Sequence, residues 1–121
     1  MNSYFLDTYA LIEILKENKN YEKYKKGIFI TTKLNLLELH YYLIRTTNED
    51  VADEVFEDLE DLCVDISSDV YLNASRFKYL NKKKKLSFVD CISYLIARQE
   101  NISFLTGDNA FEGFVGVEFV K

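Results

Sequence analysis

The stretch Tyr4-Phe5-Leu6-Asp7-Thr8 is a short apolar run that ends at a carboxylate. Apolar residues follow it at helical spacing, at Leu11, Ile12 and Leu15. The pattern predicts a buried strand and then a helix, with Asp7 at the junction between them. We expect the rest of the fold to be arranged around this junction.

A second stretch near the other end of the chain has the same layout. The apolar run 102–105 is followed by Thr106-Gly107-Asp108. If this strand lies beside the first one and parallel to it, the carboxyl ends of both strands meet at one edge of the sheet. Asp7 and Asp108 would then project from the same edge, where ligands gather in open α/β sheets.

Length and composition limit the architecture. A chain of 121 residues, 48% of them hydrophobic, suits a single domain over residues 1–121 with a buried core. No apolar run approaches the roughly 20 residues needed to cross a bilayer. The N-terminus also lacks the pattern of a signal peptide, because Asp7 and Glu13 interrupt it. We therefore expect a soluble, cytoplasmic protein with no membrane partner.

Strands alternate with helices along the chain. Further strands are predicted at 28–31, 63–66 and 117–120, and helices at 8–17, 21–26, 32–46, 48–62, 69–82 and 87–100. This alternation favours parallel pairing through right-handed crossovers. The sequence thus predicts an α/β fold, a three-layer α/β/α sandwich with a central, mostly parallel β-sheet.

Apolar spacing also predicts which helix faces are buried. The helix 87–100 is apolar nearly all round and should be enclosed. The stripes expected to face the core on two other helices are Leu34, Leu37, Tyr41 and Tyr42, and Tyr71, Leu72, Phe77 and Leu80. Glu38 lies on the first stripe, where an unpaired carboxylate is costly and needs a partner or an open cleft.

Four acids, Asp7, Glu38, Asp90 and Asp108, lie where this topology could bring them to one cleft. Each also has a simpler explanation as a helix-cap, boundary or turn residue. Carboxylates about 5 Å apart repel by roughly 3 kcal/mol per pair at an effective dielectric near 20. Such a cluster binds protons or holds cations, and its oxygen ligands favour Mg²⁺ or Mn²⁺. His40, the only histidine, is expected to be a surface or packing residue.

Four segments, in this order and spacing, resemble the motifs of the PIN-domain family over essentially the whole chain. They are Phe5–Ile12, Asn35–Glu38, Leu86–Ser93 and Phe104–Phe111. The chain is most similar to the small prokaryotic PIN proteins that act as toxins in VapBC toxin–antitoxin pairs. Each motif is weak singly, and the four together are fairly specific.

The resemblance implies a Mg²⁺- or Mn²⁺-dependent endoribonuclease that cuts RNA phosphodiester bonds. The acids that match the family's catalytic and metal-binding quartet are Asp7, Glu38, Asp90 and Asp108. Thr106 matches a hydroxyl residue that supports the last acid. A cognate antitoxin and a homodimer are also implied.

Two positions depart from the family pattern. Tyr9 stands where many members carry a small polar residue, and Gly107 where a basic or polar residue is common. We expect the first departure to remove a hydrogen bond and the second to weaken contact with the substrate.

The net charge of −5 does not favour a nucleic-acid partner, but the charge is unevenly distributed. Lys82, Lys83, Lys84 and Lys85 form a basic run that we expect to contact RNA phosphates. The simpler interpretation of this run is a solvated helix face.

Two other functions stay open on the sequence alone. The chain could be a weakly active or inactive PIN-fold module that binds an antitoxin peptide or a second copy of itself. A phosphoryl-transfer domain of receiver or haloacid-dehalogenase type is less favoured. The latter needs an Asp where Tyr9 stands, and the former needs adjacent acids near the first strand, which are absent.

Overall fold

The computed structural model describes residues 2–121, and its centre is a parallel sheet of four strands. The strands are β1 (Ser3–Leu6), β2 (Ile28–Ile30), β3 (Ser103–Thr106) and β4 (Val117–Phe119). They lie in the order β2-β1-β3-β4, and every neighbouring pair is parallel. The sequence order reverses between β1 and β3, so the crevice beyond their carboxyl ends is the expected ligand position.

The pairing of β1 with β3 confirms the arrangement predicted from the two apolar runs. Phe5 lies opposite Phe104 and Leu6 opposite Leu105. All four side chains are buried. Because side chains alternate across a strand, the two phenylalanines face one side of the sheet and the two leucines face the other.

Five helices cover the two faces. They are α1 (Thr8–Leu15), α2 (Lys33–Thr46), α3 (Glu49–Leu59), α4 (Ser68–Leu80) and α5 (Phe88–Gln99). Short 3₁₀ turns occupy Lys19–Tyr24, Glu60–Leu62, Lys82–Lys84 and Asn109–Phe111. The chain has no proline, and side-chain caps start the helices instead. The capping side chains, each accepting a backbone N–H, are Asp7, Thr32, Asn48, Ser67 and Ser87.

The core divides into two layers, one on each face of the sheet. Phe5 and Phe104 pack with residues of α4 and α5. Leu6 and Leu105 pack with residues of α1, α2 and α3. The predicted three-layer α/β/α sandwich is therefore confirmed, and helix α5 is buried along most of its length as expected.

One predicted strand is wrong. Residues 63–66 form only an isolated bridge, in which Cys63 pairs with Thr31. The amide of Thr31 donates to the Leu62 carbonyl, and the amide of Val64 donates to the Thr31 carbonyl. The segment lies beyond the end of β2 and has no further partner there, so the ladder stops after one bridge.

The predicted core stripe of α2 is wrong at Leu37 and Tyr41, whereas Leu34 and Tyr42 pack against the core as expected. Leu37 and Tyr41 are 61% and 64% exposed, whereas Leu36, Leu39 and Leu43 are buried. Both sets have helical spacing, and the packing of α2 against α1 and α3 selects the second one. Glu38 therefore lies at the outer edge of the core and not within it.

The apolar side predicted for α4 is likewise mostly exposed. Val70 and Ala74 are buried and Phe77 packs against the core, while Tyr71, Leu72 and Leu80 are exposed. Phe88, at the start of α5, is exposed too. Val70 and Ala74 of α4 belong to the same buried cluster as Tyr94 of α5 and Phe104 of β3.

Within residues 2–121, no helix has the length and apolar character that a membrane span requires.

The fold predicts that truncating Phe104 is costly. Its ring is fully buried and lies 4.8 Å from the Phe111 ring and 5.7 Å from the Phe5 and Tyr94 rings, between centroids. Phe104→Ala should lower the free energy of unfolding in urea by about 3–5 kcal/mol. The matched control is Leu72→Ala on the exposed face of α4, which should change it by less than about 0.5 kcal/mol. Equal losses in the two variants would contradict this packing.

Candidate active site

Asp7 lies at the carboxyl end of β1, directly before α1, and is 4% exposed. One carboxylate oxygen accepts the Ala10 amide at 2.9 Å, as an N-cap does. The other accepts the Thr106 hydroxyl at 2.5 Å. These two bonds fix the carboxylate between the ends of β1 and β3.

Burial raises the pKa of Asp7 from 3.8 to about 7. The bonds from Thr106 and Ala10 act in the opposite direction, and the nearby Asp90 and Asp108 carboxylates raise the pKa further. No cationic side chain is among the groups that shift the pKa of Asp7, so the charge of its ionised carboxylate is not balanced. The ionised Asp7 carboxylate is therefore suited to binding a cation.

Thr106 is the last residue of β3 and is fully buried. Its hydroxyl donates to Asp7 and accepts the Asp108 amide at 3.0 Å. The Asp108 carboxylate in turn accepts the Ala110 amide at 3.0 Å. Thr106 thus connects the Asp7 carboxylate to the backbone amide of Asp108, and its supporting role for the last acid stays a prediction.

Asp90 lies in the first turn of α5 and forms a capping box with Ser87. Its carboxylate accepts the Ser87 amide at 2.9 Å, and its own amide donates to the Ser87 hydroxyl at 3.0 Å. Burial raises the pKa of Asp90, and the Asp108 charge raises it further. The bonds to Ser87 and the ammonium group of Lys78 lower it.

Glu38 lies on α2 and reaches the site through Thr8, whose hydroxyl donates to a carboxylate oxygen of Glu38 at 2.5 Å. Burial raises the pKa of Glu38, and the charge on Asp90 adds to the shift. The side chain keeps contact with solvent, so Glu38 forms the open side of the site.

Electrostatic interaction links all four predicted acids, and Asp90 interacts with each of the other three. Within residues 2–121, however, no three acidic, histidine or cysteine side chains converge closely enough to hold an ion as they stand. Each carboxylate is turned toward a hydrogen-bond donor. The all-oxygen donor set and the uncompensated burial of Asp7 fit a hard divalent cation. The assignment of these acids as catalytic and metal-binding residues stays a prediction.

A buried polar network supports the site and was missed by sequence reasoning. The Asn35 side chain donates to the Thr8 hydroxyl at 3.3 Å and accepts from the Ser93 and Thr32 hydroxyls at 3.0 and 2.6 Å. Asn35 thereby connects α2 with α5 and with Thr8, the residue that donates to Glu38. The signal was available, because Asn35 and Ser93 each lie three residues from a predicted acid on the same helix.

Tyr9 and Gly107, the two positions that depart from the family pattern, pack against each other. A Cβ on Gly107 would lie 2.3 Å from the Tyr9 ring and 2.3 Å from the Val120 carbonyl oxygen. The space that a side chain at residue 107 needs is therefore filled by Tyr9 and the chain after β4. Gly107 is required here by this close approach.

The remaining predicted residues lie outside the acid group. His40 contacts Asp53, with its Nε2 2.7 Å from a carboxylate oxygen, and its ring packs edge-on against Phe56. This confirms the expectation of a packing residue. Lys82–Lys85 are exposed and follow α4, ahead of the residues that cap α5.

The family model described as the PIN domain matches residues 4–115. The chain belongs to the PIN domain family. The resemblance read from the four sequence motifs is thereby confirmed.

Solved structures of similar fold include VapC and VapBC proteins. The PIN domain described here superimposes on VapC20 of Mycobacterium tuberculosis, a sarcin–ricin loop cleaving toxin, with a TM-score of 0.74 at 21% identity. The match covers 94% of this chain and 98% of VapC20. DNA-bound VapBC from Salmonella typhimurium gives 0.74 at 16% identity, covering 98% and 97%. VapBC-1 from nontypeable Haemophilus influenzae gives 0.73 at 16% identity, covering 97% and 96%. No curated protein matches the sequence.

Asp7 predicts a pH-dependent stability in the absence of metal. Its pKa is 3.8 unfolded and about 7 folded, so the unfolded chain releases the proton first as pH rises. The free energy of unfolding of the parent should fall between about pH 4 and pH 7. The substitution Asp7→Asn should remove this fall. Urea unfolding in chelator should show the variant more stable than the parent by an amount that grows to the order of 3 kcal/mol at pH 8. A difference that stays constant from pH 4 to pH 8 would contradict the raised pKa of Asp7.

Proposed function

We propose that this PIN domain is a Mg²⁺- or Mn²⁺-dependent endoribonuclease and the toxin of a toxin–antitoxin pair. The observation that carries the proposal is the electrostatic interaction of Asp90 with each of Asp7, Glu38 and Asp108 near the carboxyl ends of β1 and β3. The pKa of about 7 for the buried Asp7 supports a role for cations in balancing this group.

In this proposal Asp7, Asp90 and Asp108 hold one ion, and Glu38 with Asp90 holds a second or positions water. Bound ions of this kind activate water and stabilise the leaving oxygen in phosphodiester hydrolysis. Thr106 keeps Asp7 oriented, and Thr8 does the same for Glu38. No general base of histidine type is needed, and His40 is engaged elsewhere.

The comparisons support a nucleolytic role. The chain is a PIN domain, and the similar VapC20 is a toxin that cleaves the sarcin–ricin loop. We infer an RNA substrate for this chain, with phosphates contacted by Lys82–Lys85. The family match over residues 4–115 supports a single domain that spans residues 1–121, and the proposed place of action is the cytoplasm.

Loss of one carboxylate should abolish cleavage. We expect structured RNAs to be cut in the presence of Mn²⁺ or Mg²⁺ and not in chelator. Asp7→Asn and Asp90→Asn should each lower the rate at least about a hundredfold, because a removed oxygen ligand leaves the ion site incomplete. The measurement is the rate of product formation on a denaturing gel.

The matched control is Asp58→Asn, on the exposed face of α3, which should keep the parent rate. Mn²⁺ should also raise the melting temperature of the parent and of Asp58→Asn, but not that of Asp7→Asn. Full activity in Asp90→Asn would reject the site assignment.

An antitoxin segment is the proposed protein partner. Leu37, Tyr41 and Ile44 leave an apolar strip exposed on α2, beside Glu38. They line a groove of about 520 Å³ that also contains Thr8. The similar proteins from Salmonella typhimurium and Haemophilus influenzae are VapBC assemblies, which supports a partner of the VapB kind.

Leu37→Asp should disrupt this complex. A charged side chain among the residues that line the groove removes apolar contact with the partner. Co-expression with a candidate VapB-type antitoxin should yield a stable pair for the parent, and no pair for Leu37→Asp. The control Val115→Asp, at another exposed apolar position, should keep the pair. Equal retention by both variants would exclude the groove as the binding site.

A second candidate function is a PIN-fold binding module with little or no nuclease activity. The same exposed apolar strip on α2 favours it, and so do the exposed Tyr71 and Leu72 of α4, which suit a homodimer. The cleavage assay separates the two functions. A protein that forms the pair or the dimer but cuts no RNA with Mn²⁺ is the binding module.

A further inference from the structure

One amide side chain lies buried between three of the helices that surround the acids. Asn35, on α2, is 1% exposed, and it contacts Thr8 at the start of α1 and Ser93 within α5. Burying an amide costs free energy unless its polar atoms find hydrogen-bond partners. Within residues 2–121 every buried side-chain nitrogen and oxygen has a partner, and those of Asn35 are Thr8, Thr32 and Ser93.

Three members of this network each lie within one helical turn of a different acid. The pairs are Thr8 with Asp7, Asn35 with Glu38, and Ser93 with Asp90. Residues three apart on a helix are neighbours on its surface, so the network and the acids share one side of α2 and of α5. The Asn35 amide therefore ties α1, α2 and α5 together close to three of the four acids.

The hydrogen bonds of this network run in one direction. A carboxylate only accepts, so the single hydroxyl proton of Thr8 is donated to Glu38, at 2.5 Å. The Thr8 oxygen is then free to accept, and it takes a proton from the Nδ2 group of Asn35 at 3.3 Å. The Oδ1 atom of Asn35 accepts the Thr32 and Ser93 hydroxyls at 2.6 and 3.0 Å. The amide is thereby held with its NH₂ group toward Thr8.

Thr8 depends on this partner because its side chain has a choice of orientation. A threonine in a helix divides its population between two χ1 rotamers. Only a rotamer that places the hydroxyl between Asn35 and Glu38 makes both of the observed bonds. The bond from Asn35 stabilises that rotamer, and it therefore also stabilises the carboxylate orientation that Thr8 holds.

We propose that Asn35 is a positioning residue for the acids, which orients Thr8 and through Thr8 holds the Glu38 carboxylate at the open side of the crevice. Thr32 and Ser93 keep the amide turned in the direction that this requires. The proposal rests on the cation binding contained in the proposed function. It adds to that function a residue that touches neither an acid nor the substrate.

The first measurement is the affinity for Mn²⁺, by isothermal titration calorimetry. Thr8→Val removes the hydroxyl and keeps the shape of the side chain, and Asn35→Ala removes the amide. Each should raise the Kd for Mn²⁺ by roughly tenfold, as loss of a partner that orients a metal ligand does. Because both act through one link, the double variant should show only the rise of Thr8→Val. Thr8→Ser keeps the hydroxyl and should bind as the parent does.

The matched control is Leu43→Ala, at a buried position further along α2 and outside the network. It should destabilise the fold in urea, as Asn35→Ala does, and leave the Kd for Mn²⁺ unchanged. Circular dichroism at the titration temperature verifies that each variant is folded. Should Asn35→Ala not fold, Ser93→Ala takes its place. This variant removes one of the two hydroxyls that orient the amide, and it should raise the Kd by about threefold.

The second measurement needs no metal. Three-bond NMR couplings from the backbone nitrogen and carbonyl carbon of Thr8 to its methyl carbon report the χ1 rotamer. The metal-free parent and Leu43→Ala should both show the couplings of a single rotamer. Asn35→Ala, or Ser93→Ala in its place, should show averaged couplings, because the bond that selects the rotamer is lost or weakened.

Unchanged Thr8 couplings in Asn35→Ala would overturn the proposal, and so would a parent Kd for Mn²⁺ in that variant. Losses that multiply in the double variant would also overturn it, because Asn35 would then act independently of Thr8. Failure of the ribonuclease function is a separate result, in which the parent binds Mn²⁺ and cuts no RNA while the couplings and affinities still decide the role of Asn35. A parent that binds no Mn²⁺ would end the role of Asn35 in cation binding together with the cation site.

Discussion

The parallel pairing of β1 with β3 is the constraint on which the site depends, because it brings the ends of two distant chain segments together. Asp7 and Thr106 are 99 residues apart and share a hydrogen bond of 2.5 Å. The carboxylate is then enclosed by α1 and the sheet, and its desolvation raises its pKa. The packing of the sheet therefore determines the protonation chemistry of Asp7.

Neutral hydrogen-bond donors, rather than cations, hold the acids in place. Thr106, Thr8 and Ser87 each contribute a hydroxyl or an amide to one carboxylate, and Asn35 joins Thr8 to α5 through Ser93. Donors of this kind orient a carboxylate without neutralising it. The negative charge of the acids is thereby left without a cationic partner among these donors, as binding of the proposed divalent cation requires.

The distribution of charge follows from this arrangement. An acidic crevice repels a polyanion, so a nuclease of this type needs positive charge beside the crevice and not within it. The basic residues before α5, Lys78 and Lys82–Lys85, have that position, with Lys78 adjoining Asp90 and Lys84 adjoining Phe114. A small chain with a negative total charge can in this way present opposite potentials to the proposed metal ion and to the proposed RNA substrate.

Local patterns in the sequence determined the strands β1 and β3, the helix caps and the acids that end or follow these elements. Apolar runs and capping side chains act within a few residues, so they can be read from the chain alone. Which faces of α2 and α4 are buried could not be predicted in this way. Leu36 and Leu37 both fit helical apolar stripes, and only packing against α1 and α3 buries the first and exposes the second. The bridge from Asp7 through Thr106 to Asp108, the network of Asn35, and the fit of Tyr9 over Gly107 were likewise decided by tertiary structure, since each joins residues that only the completed sheet brings into contact.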